Sequence, residues 1–298
     1  MLRIGIVGVQ NAKMYVDVMS SIPAMLFKGV YDPSLLLDRI RRSNYPSFSS
    51  LGEMCESCDA VVFASNDNIN MPLIEETLRN GRHVFVENMS TYTEQELIAL
   101  KLLSREAEVV LQIGHPYLYS EFFHKVKELC SQPFDIQTEV NITNERSLTS
   151  VARTEVAALL AIVQSNIRRS QINVYSVFSE IPDALRLRVD FDNGAVGSII
   201  ITKSHLAEQH TMRLIGFDSI EAADYCRQTI DYSLSDGLQK TTRSLKIESV
   251  PSLFNQLNAF QQAISGELIQ GCDVELELLT QSIVDKVKAK LRVNFNVF

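Results

Sequence analysis

The first part of the chain alternates short hydrophobic runs with longer segments in which hydrophobic residues recur every three or four positions. Runs of the first kind are typical of strands buried in a parallel sheet, and segments of the second kind are typical of helices packed on it. The alternation predicts a doubly wound, Rossmann-type parallel sheet with right-handed crossovers. We predict strands at residues 2–8, 25–31, 59–64, 83–86 and 109–113, and helices at 12–22, 71–80 and 94–107.

Local signals mark the ends of these helices. Asn11 is expected to be the N-cap of the first helix, and Thr93 and Glu96 have the spacing of a capping box. Gly81 lies just past the end of a helix, where glycine is favoured. Pro33 follows the second strand and is expected at the first position of a further helix.

From about residue 132 the pattern changes to long, partly alternating segments rich in β-branched residues, which predict a mostly antiparallel α+β domain. The segment Asp192-Asn193-Gly194 predicts a tight hairpin, because Asn and Gly tolerate positive φ. We therefore expect a Rossmann-type domain at 1–117 and an α+β substrate or oligomerisation domain at 118–298. The predicted strands are 134–142, 171–178, 184–191, 195–202, 210–216 and 244–249, and the helices are 147–164, 252–265 and 274–291.

Composition narrows the class of protein. The 298 residues are 46% hydrophobic and 21% charged, as in an ordinary globular protein. A net charge of −8 argues against a nucleic-acid surface, and we expect Arg39, Arg41 and Arg42 to form the solvated face of a helix. No hydrophobic run approaches the ~20 residues of a membrane span, and no secretory signal is visible. Five cysteines without framework spacing indicate a reducing compartment, so we expect a cytoplasmic protein.

Two of these cysteines, Cys55 and Cys58, form a C-x-x-C pair. A zinc site needs four ligands, and the sequence contains no second Cys or His pair to complete one. A redox pair of the thioredoxin type would begin a helix after a strand, whereas this pair ends a predicted helix just before a strand. We predict a structural role for the pair and no metal site.

The chain contains, in this order, the segments YPSFSSL (45–51), CDAVVFAS (58–65), LRNGRHVFVEN (78–88), IGHPYLYSEFF (113–123), RVDFDNGAVGSI (188–199) and FNQLNAFQQAISG (254–266). Together these six segments resemble the Gfo/Idh/MocA family of two-domain NAD(P)-dependent oxidoreductases, which act mainly on sugars and cyclitols. The resemblance covers nearly the whole chain and implies the fold predicted above. A shared fold does not decide function, so each functional position is compared separately.

The phosphate-binding loop of the family has the pattern G-x-G-x-x-G, or Ala in the last place. Here Gly8 keeps the first glycine, which allows the tight turn, but Gln10 and Lys13 replace the other two. The N-terminus of the following helix remains an anion site, because its N–H groups do not depend on glycine. Gln10, Asn11 and Lys13 would either donate hydrogen bonds to phosphate or close the loop.

Asp32 ends the second predicted strand, 24 residues after Gly8. An acidic side chain at this distance can accept hydrogen bonds from an adenosine ribose and repel a 2′-phosphate, which favours NAD over NADP. The alternative is a turn and capping device before Pro33. Ser65 and Asn66 follow the third predicted strand, where the family commonly has Thr-Pro-Asn-x-x-His, and they keep hydrogen-bonding side chains at the ligand-binding edge of the sheet.

The segment Glu87-Asn88-Met89 stands where the family has Glu-Lys-Pro. The resemblance implies that the family's Lys acts beside the nicotinamide and the substrate hydroxyl. Asn88 cannot titrate as an acid or base, and losing such a proton donor typically costs ~10²–10⁴-fold in rate. We therefore count Glu87 and Asn88 as residues of a cofactor site and not as catalytic residues.

A second family motif, D-x-G-x-H, in which His is the base, corresponds to residues 150–155, and Glu155 stands near the His position. We expect Glu155 to be an exposed helix residue, and we expect none of the five histidines to have a neighbour arranged as base and orienter. His115 is expected to face the cleft. His210 is expected to flank a hairpin or loop.

These departures together predict a family member that is impaired in or devoid of the family's hydride transfer and retains at most the binding of a nucleotide or a small, sugar-like ligand. If a cofactor binds, NAD is expected. The alternative is an active NAD-dependent oxidoreductase of a sugar or cyclitol with rewired catalytic residues. A homo-oligomer formed through the sheet of the second domain is also expected from the resemblance.

Overall fold

The computed structural model of the protein describes residues 1–33, 45–64, 71–87, 89, 91–130, 132–143, 146–176, 182–204, 207–235, 240–248, 251–267 and 274–295. The chain divides into two compact units. The first is Met1–Tyr119 with Pro251–Leu278, and the second is Ser120–Val250 with Leu279–Phe298. The predicted fold class, a Rossmann-type sheet followed by a mostly antiparallel sheet with helices, is confirmed.

The described strands are β1 (Leu2–Val7), β2 (Met25–Tyr31), β3 (Ala60–Phe63), β4 (His83–Val86), β5 (Leu111–Ile113), β6 (Asp135–Ile142), β7 (Ile167–Tyr175), β8 (Ala184–Phe191), β9 (Val196–Lys203), β10 (Gln209–Ile215), β11 (Ser219–Asp224), β12 (Thr229–Ser235) and β13 (Lys240–Lys246). The described helices are α1 (Ala12–Met19), α2 (Leu51–Ser57), α3 (Met71–Arg79), α4 (Glu94–Glu106), α5 (Glu121–Leu129), α6 (Leu148–Val163), α7 (Leu253–Ile264) and α8 (Val274–Phe295). None of these described helices is long and apolar enough to cross a membrane.

The sheet of the first unit is parallel, with the strand order β2-β1-β3-β4-β5. Its central strands are buried on both faces, as their continuous hydrophobic runs require. On one face Tyr15 of α1 and Phe260 of α7 pack against Phe85. On the other face α2, α3 and α4 contribute buried residues such as Met54 and Leu97. The sheet is therefore covered on both sides, as in a doubly wound fold.

Helix α7 lies in the first unit, although the sequence placed it in the second domain. Its residues Leu253, Leu257 and Phe260 are buried in one cluster with Ile4 and Phe85. The hydrophobic face of α7 was visible in the sequence, but the surface that it covers was not. The boundary between residues 117 and 118 stays a prediction.

The sheet of the second unit has eight strands in the order β13-β12-β11-β10-β6-β9-β8-β7. Every pairing is antiparallel except that of β6 with β9. Helix α6 packs closely on one face: a Cβ built on Gly197 of β9 would lie 2.3 Å from Leu159 Cδ2. The missing side chain at Gly197 therefore allows α6 to approach the sheet.

Several details differ from the prediction. Strands β11 and β12 were not predicted. Strand β7 begins at Ile167 rather than Gln171, and β5 begins at Leu111 rather than Val109. The hairpin between β8 and β9 is confirmed, but only Gly194 has positive φ. Asn193 instead accepts a hydrogen bond from Ala195 N–H through its side chain. The helix expected after Pro33 falls outside the described residues.

Candidate functional site

The turn that joins β1 to α1 begins at Gly8. Gly8 has a φ of 100°, in the region that favours glycine, and its N–H donates to the Tyr31 carbonyl at 2.9 Å. Strand β1 lies between β2 and β3, so helices leave this edge of the sheet toward both faces. In open α/β sheets a crevice at such a point is where ligands bind. The role expected for Gly8 as the tight-turn residue agrees with this geometry.

Asp32 follows β2 and holds the turn. Its Oδ2 accepts a hydrogen bond from Val9 N–H at 3.2 Å. The carboxylate therefore contacts the loop as well as standing at the end of the strand beside it. This contact is compatible with both roles considered from the sequence, ribose binding and capping. It does fix the negative charge of Asp32 beside the turn.

Asn11 occupies the N-cap position of α1, but the expected capping bond is absent. Its backbone has helical angles, with φ −101° and ψ 0°, and its side-chain Nδ2 donates to the Ala64 carbonyl at 2.8 Å. The prediction of a capping role for the side chain is therefore wrong. Asn11 instead ties the start of α1 to the end of β3.

Glu87 follows β4 and connects to the same helix. Burial raises the pKa of the Glu87 carboxyl, and hydrogen bonds from the Tyr15 hydroxyl and the Asn11 amide oppose that rise. Burial, followed by the charge of Glu87, raises the pKa of Tyr15. Among the described residues Glu87 Oε2 has no hydrogen-bond partner. Gly8, Asn11, Asp32 and Glu87 are thus brought together at one edge of the sheet.

The two residues that replace loop glycines, Gln10 and Lys13, have exposed side chains. The two alternatives for these side chains, donation to phosphate or closure of the loop, both stay predictions. In the first turn of α1, Ala12 N–H donates to the Val9 carbonyl at 3.3 Å and Met14 N–H donates to the Asn11 carbonyl at 3.1 Å. The helix N-terminus still attracts an anion through the positive end of the helix dipole. The loop therefore fits a dinucleotide in part: it keeps the turn and the helix terminus but lacks the second and third glycines. Ser65, Asn66 and Asn88 lie outside the described residues.

The end of β5 is held by Gln256 of α7. Its side-chain Oε1 accepts from His115 N–H at 2.9 Å, and its backbone carbonyl accepts from Gln112 Nε2 at 3.0 Å. Gly114 is required here, since a Cβ would lie 2.8 Å from the Glu87 carbonyl oxygen. His115 is half-buried in this arrangement.

The second unit contains an arrangement that sequence reasoning missed. Glu155 on α6 is only 2% exposed, and its Oε2 lies 3.2 Å from His210 Nε2 on β10. The expectation that Glu155 is an exposed helix residue is therefore wrong. The expectation that no histidine has an orienting neighbour is wrong as well. The two residues are far apart in the sequence, and only the pairing of β10 with β6 and the packing of α6 bring them together.

Cys55 and Cys58 are buried, free thiols at the end of α2, as the structural interpretation expects. Burial raises the pKa of Cys58 to about 11 and raises that of Cys55. Thiols of this kind are poor nucleophiles near neutral pH. Within the described ranges no group of three or more His, Cys, Asp or Glu side chains could hold a metal ion.

Comparison with known proteins identifies the first unit. Residues 2–115 match the model of GFO_IDH_MocA, described as an oxidoreductase family with an NAD-binding Rossmann fold. Over this region the chain is similar to the Gfo/Idh/MocA family. YceM of Salmonella typhimurium, which is named as an oxidoreductase, is 26% identical over 132 residues. The match covers 42% of this chain and 42% of YceM, less than half the length of that relative.

Several solved structures share the fold over nearly the whole chain. UDP-N-acetylglucosamine 3-dehydrogenase GnnA from Acidithiobacillus ferrooxidans is 16% identical, covers 99% of both chains and has a TM-score of 0.82. Biliverdin reductase from Synechocystis, solved with biliverdin and NADP+, is 16% identical, covers 97% of this chain and 98% of its own, and has a TM-score of 0.70. At such low identity the likeness shows the fold alone.

Proposed function

We propose that this Gfo/Idh/MocA protein binds NAD(H) at the β1–α1 turn of its first unit. The observation that carries the proposal is the Gly8 turn, which opens α1 at the point where β2 and β3 flank β1, with the Asp32 carboxylate fixed beside it. A pyrophosphate would lie at the N-terminus of α1, where the helix dipole favours negative charge. Asp32 would accept hydrogen bonds from the ribose and repel a 2′-phosphate.

Calorimetric titration with NAD(H) and NADP(H) tests this proposal, and Asp32→Asn is the matched variant. The amide oxygen of Asn can still accept the hydrogen bond from Val9 N–H, but the negative charge is lost. We expect wild type to bind NAD(H) more tightly than NADP(H) and Asp32→Asn to narrow that difference. If neither dinucleotide binds, the proposal is wrong. If Asp32→Asn leaves the difference unchanged, the ribose role of Asp32 is wrong.

We further propose that alcohol oxidation by the family's Lys and His is absent or very weak. Asn88 stands at the Lys position, and the residue near the His position, Glu155, is buried and engaged with His210. Assays of NAD-dependent oxidation of polyols and sugar nucleotides test this. Turnover of any of these substrates at rates ordinary for an enzyme would contradict the proposal.

A second candidate function is an active oxidoreductase of a sugar or cyclitol with rewired catalytic residues. One observation favours it: Glu155 and His210 form a carboxylate–imidazole pair, and acid–base catalysts are commonly built from such pairs. The dependence of any turnover on His210 separates this candidate from a protein that binds nucleotide only.

A homo-oligomer formed through the sheet of the second unit is also proposed. Helix α6 packs on the face that contains Gly197, whereas Arg186 and Arg188 of β8 and Glu139 of β6 are exposed on the alternate positions. A face of mixed charge can be complementary to a second copy of itself. Sedimentation velocity measures the state directly, and a monomer at micromolar concentration would refute the proposal.

A further inference from the structure

The end of α5 packs on the start of β11 through two small polar side chains. The Ser219 hydroxyl donates to Cys130 Sγ at 3.4 Å, and both residues are buried. No room remains here for a side chain at Gly216, since a Cβ would lie 2.7 Å from Ser219 Oγ and 3.3 Å from Cys130 Sγ. The Cys130 thiol is therefore covered by the turn that precedes β11.

The next residue on the same side of β11 is Glu221, because side chains two positions apart on a strand share a face. Glu221 is 1% exposed and lies between Leu214 of β10 and Tyr232 of β12. Among the described residues neither of its carboxyl oxygens has a hydrogen-bond partner. Burial raises the pKa of the Cys130 thiol, the hydrogen bond from Ser219 lowers it, and the charge of Glu221 raises it. An unpartnered carboxyl group and a covered thiol thus lie on the face of β11 that α5 covers.

Glu221 is not compensated by a charged neighbour. Burial raises its pKa to about 8, so the buried group is neutral. Asp218, which also acts on the Cys130 thiol, is exposed and carries a charge of the same sign. The charged side chains of α5 act on one another: Lys125 pairs with Glu128, and the charges of Lys127 and Glu121 act on His124. An ionised Glu221 therefore requires water, which this packing excludes.

We propose that Cys130 is a gated modification site, in which ionisation of Glu221 separates the end of α5 from β11 and gives electrophiles access to the thiol. The site does not depend on nucleotide binding. The carboxylate is hydrated only when the contact opens, so opening is coupled to the loss of the Glu221 proton. Once exposed, Cys130 has the reactivity of an ordinary cysteine, whose thiolate is the nucleophile.

This coupling determines the pH range of the gate. Well below the ordinary pKa of 4.5, Glu221 is protonated in the closed and open forms, and opening does not depend on pH. Between 4.5 and about 8 the open form binds fewer protons, so the open fraction rises by as much as about tenfold per pH unit. At higher pH both forms are ionised and the rise ends. The gate therefore responds between about pH 5 and pH 8.

Alkylation of the full-length protein by N-ethylmaleimide tests the gate. The thiolate adds to an alkene carbon of the ring, one S–C bond forms, and the neighbouring carbon takes a proton from water. No oxidant or reductant is needed. Peptide mass spectrometry gives the rate at each cysteine, and the exposed thiol of Cys226 reports how the thiolate fraction changes with pH. The ratio of the Cys130 rate to the Cys226 rate is the measured quantity.

We expect this ratio to rise at least about 10-fold from pH 5.5 to pH 7.5 in wild type, and to stay flat in Glu221→Gln. Glu221→Met is the second variant, because an unpaired buried amide can itself prevent folding. Asp218→Asn is the matched control: it removes the exposed charge near the thiol, keeps Glu221 and should show the wild-type rise. Circular dichroism verifies that each variant is folded.

Low concentrations of urea distinguish the gate from unfolding of the whole unit. A local opening exposes little surface, so the Cys130 rate should change little with urea below the unfolding transition. A rate that rises as steeply with urea as global unfolding does would overturn the proposal. So would a flat ratio in wild type, or a rise of equal size in whichever of Glu221→Gln and Glu221→Met is folded.

Discussion

Glu221 on β11 makes the stability of the second unit depend on pH. The side chain is 1% exposed and lies between Leu214 of β10 and Tyr232 of β12. Among the described residues neither carboxyl oxygen has a hydrogen-bond partner. Burial raises the pKa of Glu221 from its ordinary value of 4.5 to about 8. The folded protein therefore favours the protonated, neutral form.

The sign and size follow from this pKa. Below pH 4.5 the group is protonated in both the folded and unfolded states and makes no pH-dependent contribution. Between about 4.5 and 8 the unfolded chain loses the proton more readily, so the free energy of unfolding falls by about 1.4 kcal/mol per pH unit. Above pH 8 the total loss in the free energy of unfolding is on the order of 4–5 kcal/mol. This is an upper magnitude, because water near the carboxylate would reduce it.

Glu221→Gln removes the titrating group and keeps the shape. We expect the difference in free energy of unfolding, variant minus wild type, to rise steadily between pH 5 and 8. A buried amide adds a constant cost of about 1–3 kcal/mol if its donors are unpaired, so the slope is the decisive quantity and not the offset. Urea unfolding followed by circular dichroism at intervals of one pH unit measures it.

The matched control is Glu128→Gln on α5, where the side chain is 68% exposed beside Lys125. A surface pair of this kind contributes about 0–1 kcal/mol, so its difference from wild type should be small and flat with pH. The reasoning is refuted if the wild-type and Glu221→Gln stabilities run parallel from pH 5 to pH 8.

Two further predictions concern packing and capping. Gly197→Ala places a methyl group against Leu159 and should lower the free energy of unfolding, measured by urea unfolding, by about 1–3 kcal/mol. The double variant Gly197→Ala with Leu159→Ala should lose less stability than the sum of the two single losses. Additive losses would show that this contact is not the cause. Thr93→Ala removes the capping box of α4 and should lower the free energy of unfolding by about 1 kcal/mol, whereas Thr93→Ser keeps the capping hydroxyl. Equal urea-unfolding midpoints for the two variants would contradict the capping role.

The first unit was predictable because its strands are buried on both faces. Continuous runs such as those of β3 and β4 leave few alternatives, and the capping box at Thr93 and Glu96 marks α4 in the sequence itself. The helix-end glycine is also confirmed, since Gly81 has a φ of 68°. Local sequence signals were therefore sufficient to predict these elements.

The second unit was harder to predict from the sequence because its strands expose one face. In β11 buried and exposed positions alternate, and Glu221 takes a buried one. Because its residues include two carboxylates, the segment resembles a polar loop in the sequence. Glu155 was misjudged for the same reason, since a carboxylate on a helix is ordinarily exposed. Its side chain contacts His210, which is 55 residues away along the chain. Hydrophobic periodicity within a helix contains no information about so distant a partner. A histidine that begins an alternating run was the only signal available.

The position of α7 has a consequence for how the protein is made. The first unit receives Leu257 and Phe260 only after the whole segment 120–250 has left the ribosome. Until then the face of the nascent sheet around Tyr15 and Phe85 lacks part of its cover, which makes it a surface for chaperones or for aggregation. A truncated gene that ends at residue 119 should yield insoluble protein. Joining residues 251–278 to it through a flexible linker should restore solubility, so vectorial synthesis cannot complete this nucleotide-binding fold before residues 251–278 appear.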